Sequence, residues 1–112
     1  MTKSMDFAVR IVNLYKWLCN EKKEFVLSKQ LLRSGTSIGA NLSEAQSAIS
    51  KADFAAKVYI SLKESKETLY WIELLYQTKY LDEKLYLSIY KGANEMVSLL
   101  ASVTKKLQPD SH

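Results

Sequence analysis

Leu27, Leu31, Ser34, Ile38, Asn41, Ala45 and Ala48 follow one another at alternating steps of four and three residues. Such steps bring side chains to one face of a helix, because the α-helix turns once every 3.6 residues. The series continues through Arg33-Ser34-Gly35-Thr36-Ser37, where Gly, Ser and Thr argue locally against a helix. Two short elements joined there would lose the common phase. The unbroken phase predicts one long helix from about Phe25 to Ile49, with its small residues allowing a neighbour to approach closely.

Three further segments carry the same period. Ala8, Ile11, Tyr15 and Leu18 mark a helix over about 4–20, with Phe7, Leu14 and Trp17 forming a second apolar edge beside that face. Asn20-Glu21-Lys22-Lys23 reads as a turn. Ser50-Lys51-Ala52-Asp53 has the form of a capping box, and Ala55, Val58, Leu62, Ser65, Leu69, Ile72 and Tyr76 carry the next helix to about Thr78. Asp82 fits an N-cap for a fourth helix, with Leu85, Ile89, Gly92, Met96, Leu99 and Val103 as its seam. Short connections force consecutive long helices to double back, so the expected fold is all-α, an antiparallel up-down-up-down four-helix bundle. It is expected to be one domain over residues 1–108, followed by a flexible tail at 109–112. Three Gly and one Pro in 112 residues agree with this, because sheets and loop-rich folds need more turn-formers.

The residues that most catalytic and metal chemistries need are scarce. The one His is His112, so a buried imidazole or a His-ligated metal is not expected, and no Glu-x-x-His pair exists for a di-iron centre. Gly35, Gly39 and Gly92 form no phosphate-binding fingerprint; Gly35 and Gly39 have the GxxxG spacing, which in a soluble bundle implies close helix packing. Cys19 is the only cysteine and fits either a small apolar filler or a reactive thiol. Glu44, Glu64 and Glu67 could converge, either as paired acids or in ion pairs with Arg33 or Lys63. The expectation is a protein that is not an enzyme, has no cofactor, metal or small-molecule substrate, and spans no membrane. With no apolar leader and no disulfide possible, a cytoplasmic location is expected.

Residues 30–45, Gln30-Leu31-Leu32-Arg33-Ser34-Gly35-Thr36-Ser37-Ile38-Gly39-Ala40-Asn41-Leu42-Ser43-Glu44-Ala45, resemble the signature of the four-helix bundle protein family. That family includes proteins encoded in intervening sequences of bacterial 23S ribosomal RNA genes. Residues 60–71, Ile60-Ser61-Leu62-Lys63-Glu64-Ser65-Lys66-Glu67-Thr68-Leu69-Tyr70-Trp71, resemble its second block. The resemblance implies the same bundle and a homopentameric ring. The similar accessory proteins of diversity-generating retroelements form such rings and bind nucleic acid and a reverse transcriptase. It marks Arg33, Ser34, Ser37, Asn41 and Glu44 on the second helix and Lys63, Glu64, Glu67 and Trp71 on the third. These positions fit a buried polar network that fixes helix register, or a ligand-facing site.

The chain has seven Tyr, and its net charge of +4 permits contact with nucleic acid without requiring it. Phe7, Leu14 and Trp17, with Tyr86 and Tyr90, widen the apolar faces beyond one stripe per helix. They are expected either to be buried between copies of the chain or, beside Lys16, Lys79, Lys84 and Lys91, to stack nucleic-acid bases. Two functions stay open: an oligomeric module that contacts RNA or a ribonucleoprotein, and a purely structural or protein-interaction module.

Overall fold

The computed structural model describes residues 2–108; the expected tail at 109–112, including His112, lies outside them. Four helices follow in order, α1 (Thr2–Asn20), α2 (Leu27–Ala45), α3 (Lys51–Gln77) and α4 (Glu83–Leu107). They are joined by residues 21–26, 46–50 and 78–82. These connections are too short to cross the bundle, so neighbours pack antiparallel in a body of 49 × 27 × 22 Å. α2 lies between α1 and α3, and α4 closes on α3, so the molecule is an all-α four-helix bundle.

Helix ends follow local chemistry. Ser50 caps α3, its hydroxyl accepting the Asp53 N–H at 3.0 Å, and Asp82 caps α4, accepting the Leu85 N–H at 2.8 Å. α3 ends with Lys79 in the left-handed region (φ 72), its N–H bonding Tyr76 O while Tyr80 N–H reaches back to Leu75 O. The start of α2 has a device the sequence reading missed. Glu24, buried before the helix, accepts the N–H groups of Val26, Leu27 and Ser28 at 3.2, 3.0 and 2.7 Å, taking up donors that a helix start leaves free.

α2 runs unbroken through Ser34-Gly35-Thr36, as its phase requires. It stops at Ala45 rather than Ile49. Ser47 and Ala48 fold into tight i−3 hydrogen bonds, and Ser50 must be extended to cap α3, so the chain leaves the helix early. Gly35 is the reason for the small-residue stretch. A Cβ there would lie 2.8 Å from both Cγ1 and Cγ2 of Ile11 on α1, while one at Gly39 would meet Ser4 Oγ at 3.3 Å. The two glycines let α1 seat directly on the α2 backbone.

Three seams differ from the expected ones. α1 buries Ser4, Phe7, Ile11, Leu14 and Leu18, so Phe7 and Leu14 belong to the core of a single chain and not to a spare face. α4 buries Ile89, Ala93, Met96, Leu100 and Thr104, whereas Leu99 is exposed. α3 buries Val58, Ser61, Ser65, Thr68, Ile72 and Leu75, leaving Leu62 and Leu69 half-buried on its flank. On α1 and α3, two stripes of 3-4 spacing lie side by side. Packing selected the one that brings small or well-shaped residues against the neighbouring helix.

Candidate functional site

The buried side of α3 opposite α2 is lined by hydroxyls. Ser34 from α2 and Ser61, Ser65 and Thr68 from α3 have no exposed surface. Small hydroxyl side chains suit this seam because they let two backbones come close and can bond to helix carbonyls. Ser61 Oγ donates across the seam to Ile38 O at 2.8 Å, and Ser65 Oγ donates to Leu62 O at 2.7 Å. Thr68 Oγ1 bonds Glu64 O at 2.8 Å and lies 3.0 Å from Ser34 Oγ, joining the two helices hydroxyl to hydroxyl. Every buried side-chain N and O among the described residues has a hydrogen-bond partner.

Outside this layer sits a half-exposed rim. Arg33 bridges Glu64 and Glu67, bonding Glu64 Oε1 at 3.2 Å and Glu67 Oε2 through its other amino group, while its Nε reaches Gln30 Oε1. Glu67 Oε2 also accepts the Trp71 indole N–H at 2.9 Å, and Trp71 meets the Tyr70 ring edge-on with centroids 4.9 Å apart. Because Arg33 is about half exposed, these pairs orient side chains more than they stabilise the fold, on the order of 1 kcal/mol at most.

The marked positions therefore divide. Arg33, Ser34, Glu64, Glu67 and Trp71 come together between α2 and α3, with Thr68 as the member that sequence reasoning passed over. The others do not join them. Ser37 Oγ and Asn41 Nδ2 bond carbonyls one turn back in their own helix, Arg33 O and Ser37 O. Asn41 is only half-buried, so it is not the seam residue its spacing suggested. Glu44 pairs with Lys57 at 2.9 Å, not with Arg33 or Lys63, and Lys63 faces outward.

Seam hydroxyls give a direct test of register. Thr68→Val keeps the shape but removes a partner of the buried Ser34 hydroxyl, and is expected to cost about 1–2 kcal/mol in chemical denaturation. Adding Ser34→Ala removes the stranded group and should return part of that loss.

Tyr86 and Tyr90 are half-buried against the core. Tyr86 stacks on Tyr76 with centroids 4.0 Å apart, and its hydroxyl donates to Glu73 Oε1 at 2.5 Å, so the ring is not free to stack a base. Trp17 is likewise half-buried, with Lys22 Nζ 5.3 Å from its ring centre. Lys16, Lys79, Lys84 and Lys91 are all exposed, but they are spread over α1, the connection before α4 and α4 itself. The hydrogen bond to Glu73, with burial, pushes the Tyr86 phenol up to about 12 from its ordinary 10.0. A raised folded value means the unfolded chain loses this proton first. Stability contributed by the pair is complete below pH 10 and is lost as pH rises towards 12. Alkaline denaturation should show that decline in the natural chain and a weaker one in Tyr86→Phe.

A spare apolar face remains on α1. Met5 (64% exposed) and Val9 (52%), with half-buried Ala8 and Val12, form a second stripe beside the core seam. Next to it, Ser4, Met5 and Ala8 of α1 and Thr36, Gly39, Ala40 and Ser43 of α2 line an open groove of about 350 Å³ with no charged residue. Elsewhere, no three His, Cys, Asp or Glu side chains among the described residues could hold a metal ion. Cys19 is half-buried, its sulfur 3.8 Å from Ser28 Oγ. No described helix is long and apolar enough to cross a membrane.

Residues 1–102 match the family described as 23S rRNA-intervening sequence protein. Among solved structures, the chain is similar to a protein of unknown function from the S23 ribosomal protein family of Bacteroides thetaiotaomicron VPI-5482. The two are 59% identical with a TM-score of 0.91, over 93% of this chain and 96% of the other. No curated protein matches. With the bundle, the signature pairing between α2 and α3 and a match over nearly the whole length, the chain belongs to the 23S rRNA-intervening sequence protein family.

Proposed function

We propose that the protein is a non-enzymatic, self-assembling helical-bundle module that acts in the cytoplasm and offers its outer surface to RNA or a ribonucleoprotein. The α1 stripe of Met5, Ala8, Val9 and Val12, which runs into the uncharged groove between α1 and α2, carries this reading. Continuous apolar surface of this kind is costly to leave in water, and a second copy of the same chain is the economical cover. The family resemblance supports a closed ring of five, in which the Val9 and Val12 edge of α1 meets the α1–α2 groove of the next copy. A head-to-tail contact of that kind closes into a ring when the rotation allows.

The signature acids support a structural role, since Glu64 and Glu67 are occupied by Arg33 and Trp71. The words "ribosomal protein" in the solved neighbour's family name support RNA as the partner class. Light scattering on the purified chain tests the assembly. The reading expects a mass near five times the 12.8 kDa of one chain, and a monomer at every concentration would overturn it.

A further inference from the structure

Tyr59, Lys63, Lys66 and Tyr70 stand at steps of four, three and four along the outer side of α3, and all four are exposed. Tyr59 is 40% exposed and Tyr70 59%. Two contacts set the antiparallel register of α3 on α4, Tyr86 OH to Glu73 Oε1 and Tyr59 OH to Thr104 O at 3.4 Å. That register brings exposed Lys91 of α4 level with Tyr70 and exposed Lys105 level with Tyr59. The neighbouring carboxylates of α3 are engaged elsewhere, Glu67 by Arg33 and Trp71, Glu73 by Tyr86 and Gln77. The strip therefore joins aromatic rings to Lys63, Lys66, Lys91 and Lys105, none of which forms an ion pair among the described residues. It also lies on the opposite side of the bundle from the α1–α2 groove.

We propose that this α3–α4 strip binds single-stranded RNA, with bases stacking on Tyr59 and Tyr70 and phosphates held by Lys63, Lys66, Lys91 and Lys105. Aromatic platforms between cations suit a single strand, because every base offers a ring face whatever its sequence, and each phosphate carries a charge to neutralise. A flat duplex backbone would use the lysines and leave the tyrosines idle. The inference deepens the RNA part of the proposed function and is independent of its self-assembly part, since the strip and the apolar groove share no residue.

The probe is a fluorescently labelled, unstructured RNA of mixed sequence, read by anisotropy over a salt series, with solution mass measured on the same samples. The natural chain is expected to bind, with affinity falling linearly on a log–log salt plot. Tyr70→Ala should weaken binding by about fivefold or more, while Tyr70→Phe keeps it. Lys66→Gln should weaken binding and make the salt slope shallower by about 0.7. Lys16→Gln and Lys29→Gln, on α1 and α2, should change little. Failure to bind at low salt would overturn the inference, as would equal losses from Lys16→Gln and Lys66→Gln, or an unchanged affinity in Tyr70→Ala. A multimer that binds no RNA sinks this inference and leaves the assembly standing. A monomer that binds RNA through Tyr70 supports the inference and sinks the assembly instead.

Discussion

A Gly35→Val chain is expected to lose about 3 kcal/mol of stability, with a thermal midpoint lower by about 10 °C or more. The magnitude follows from where the new atoms would go. Even a lone Cβ would sit 2.8 Å from two carbons of Ile11, both close to its branch point and unable to swing aside. Ile11 itself is fully buried, so relief requires α1 to move away from α2, exposing Phe7, Leu14 and Leu18. Gly39→Ala is the matched control. Its Cβ meets Ser4 Oγ at 3.3 Å, a contact a small displacement relieves, and alanine's helix preference of about 1 kcal/mol over glycine works in its favour. Differential scanning calorimetry on the two variants should separate them clearly. Equal midpoints would mean that α1 is not seated on the α2 backbone.

Glu24→Ala is expected to cost about 2–3 kcal/mol, the loss of hydrogen bonds to a buried charged group. The carboxylate accepts three backbone N–H groups at the start of α2, where the helix dipole also favours negative charge. Burial alone would raise its carboxyl, but the N–H groups of Leu27, Ser28 and Val26 outweigh burial and hold it below the ordinary carboxylate value. The sign follows directly. A carboxyl that is more acidic in the folded chain contributes stability above its unfolded value, and that contribution fades as pH falls through the folded one. Urea denaturation at neutral and acid pH should show the natural chain and Glu24→Ala converging as pH falls. A cost below about 0.5 kcal/mol at neutral pH would show that water caps α2 equally well.

The sequence carried the helices better than their faces. The phase of Leu27 to Ala45, the Ser50 and Asp82 caps and the Gly35-x-x-x-Gly39 spacing all mean in the structure what they suggest on the page. The face of α1 was misjudged because Phe7, Ile11, Leu14 and Leu18 compete with an adjacent stripe of equal spacing. Counting apolar residues cannot choose between two such stripes; the shape of the partner does. On α3 the same ambiguity favoured Leu62 and Leu69 over Ser61 and Thr68, since hydroxyls count as polar until a helix carbonyl is beside them. A usable signal was present, because Ser61, Ser65 and Thr68 bridge Val58 to Ile72 without losing the step of three and four.

The signature residues were partly legible for a similar reason. Arg33, Glu64 and Glu67 are long and opposite in charge, so their meeting across α2 and α3 could be anticipated from helix order. Asn41 and Glu44 have equally strong credentials in the sequence, but α2 turns Asn41 towards its own backbone and puts Glu44 nearer Lys57. Glu24 gave no advance sign, because a cap placed before its helix by a bent connection follows no fixed spacing. The aromatic surfaces were misread through burial. Tyr86 and Tyr90 support the α3–α4 contact, and the outward tyrosines are Tyr59 and Tyr70.

Self-assembly through α1 is the claim on which the functional reading rests, and a matched pair of charge insertions tests it most directly. Val9 and Leu87 are about equally exposed, one on the α1 stripe and one on α4 away from it. Light scattering of Val9→Glu should give a mass near that of one chain, while Leu87→Glu keeps the mass of the natural assembly. If Val9→Glu remains a full multimer, or Leu87→Glu dissociates in its place, the copies do not meet on the face of α1.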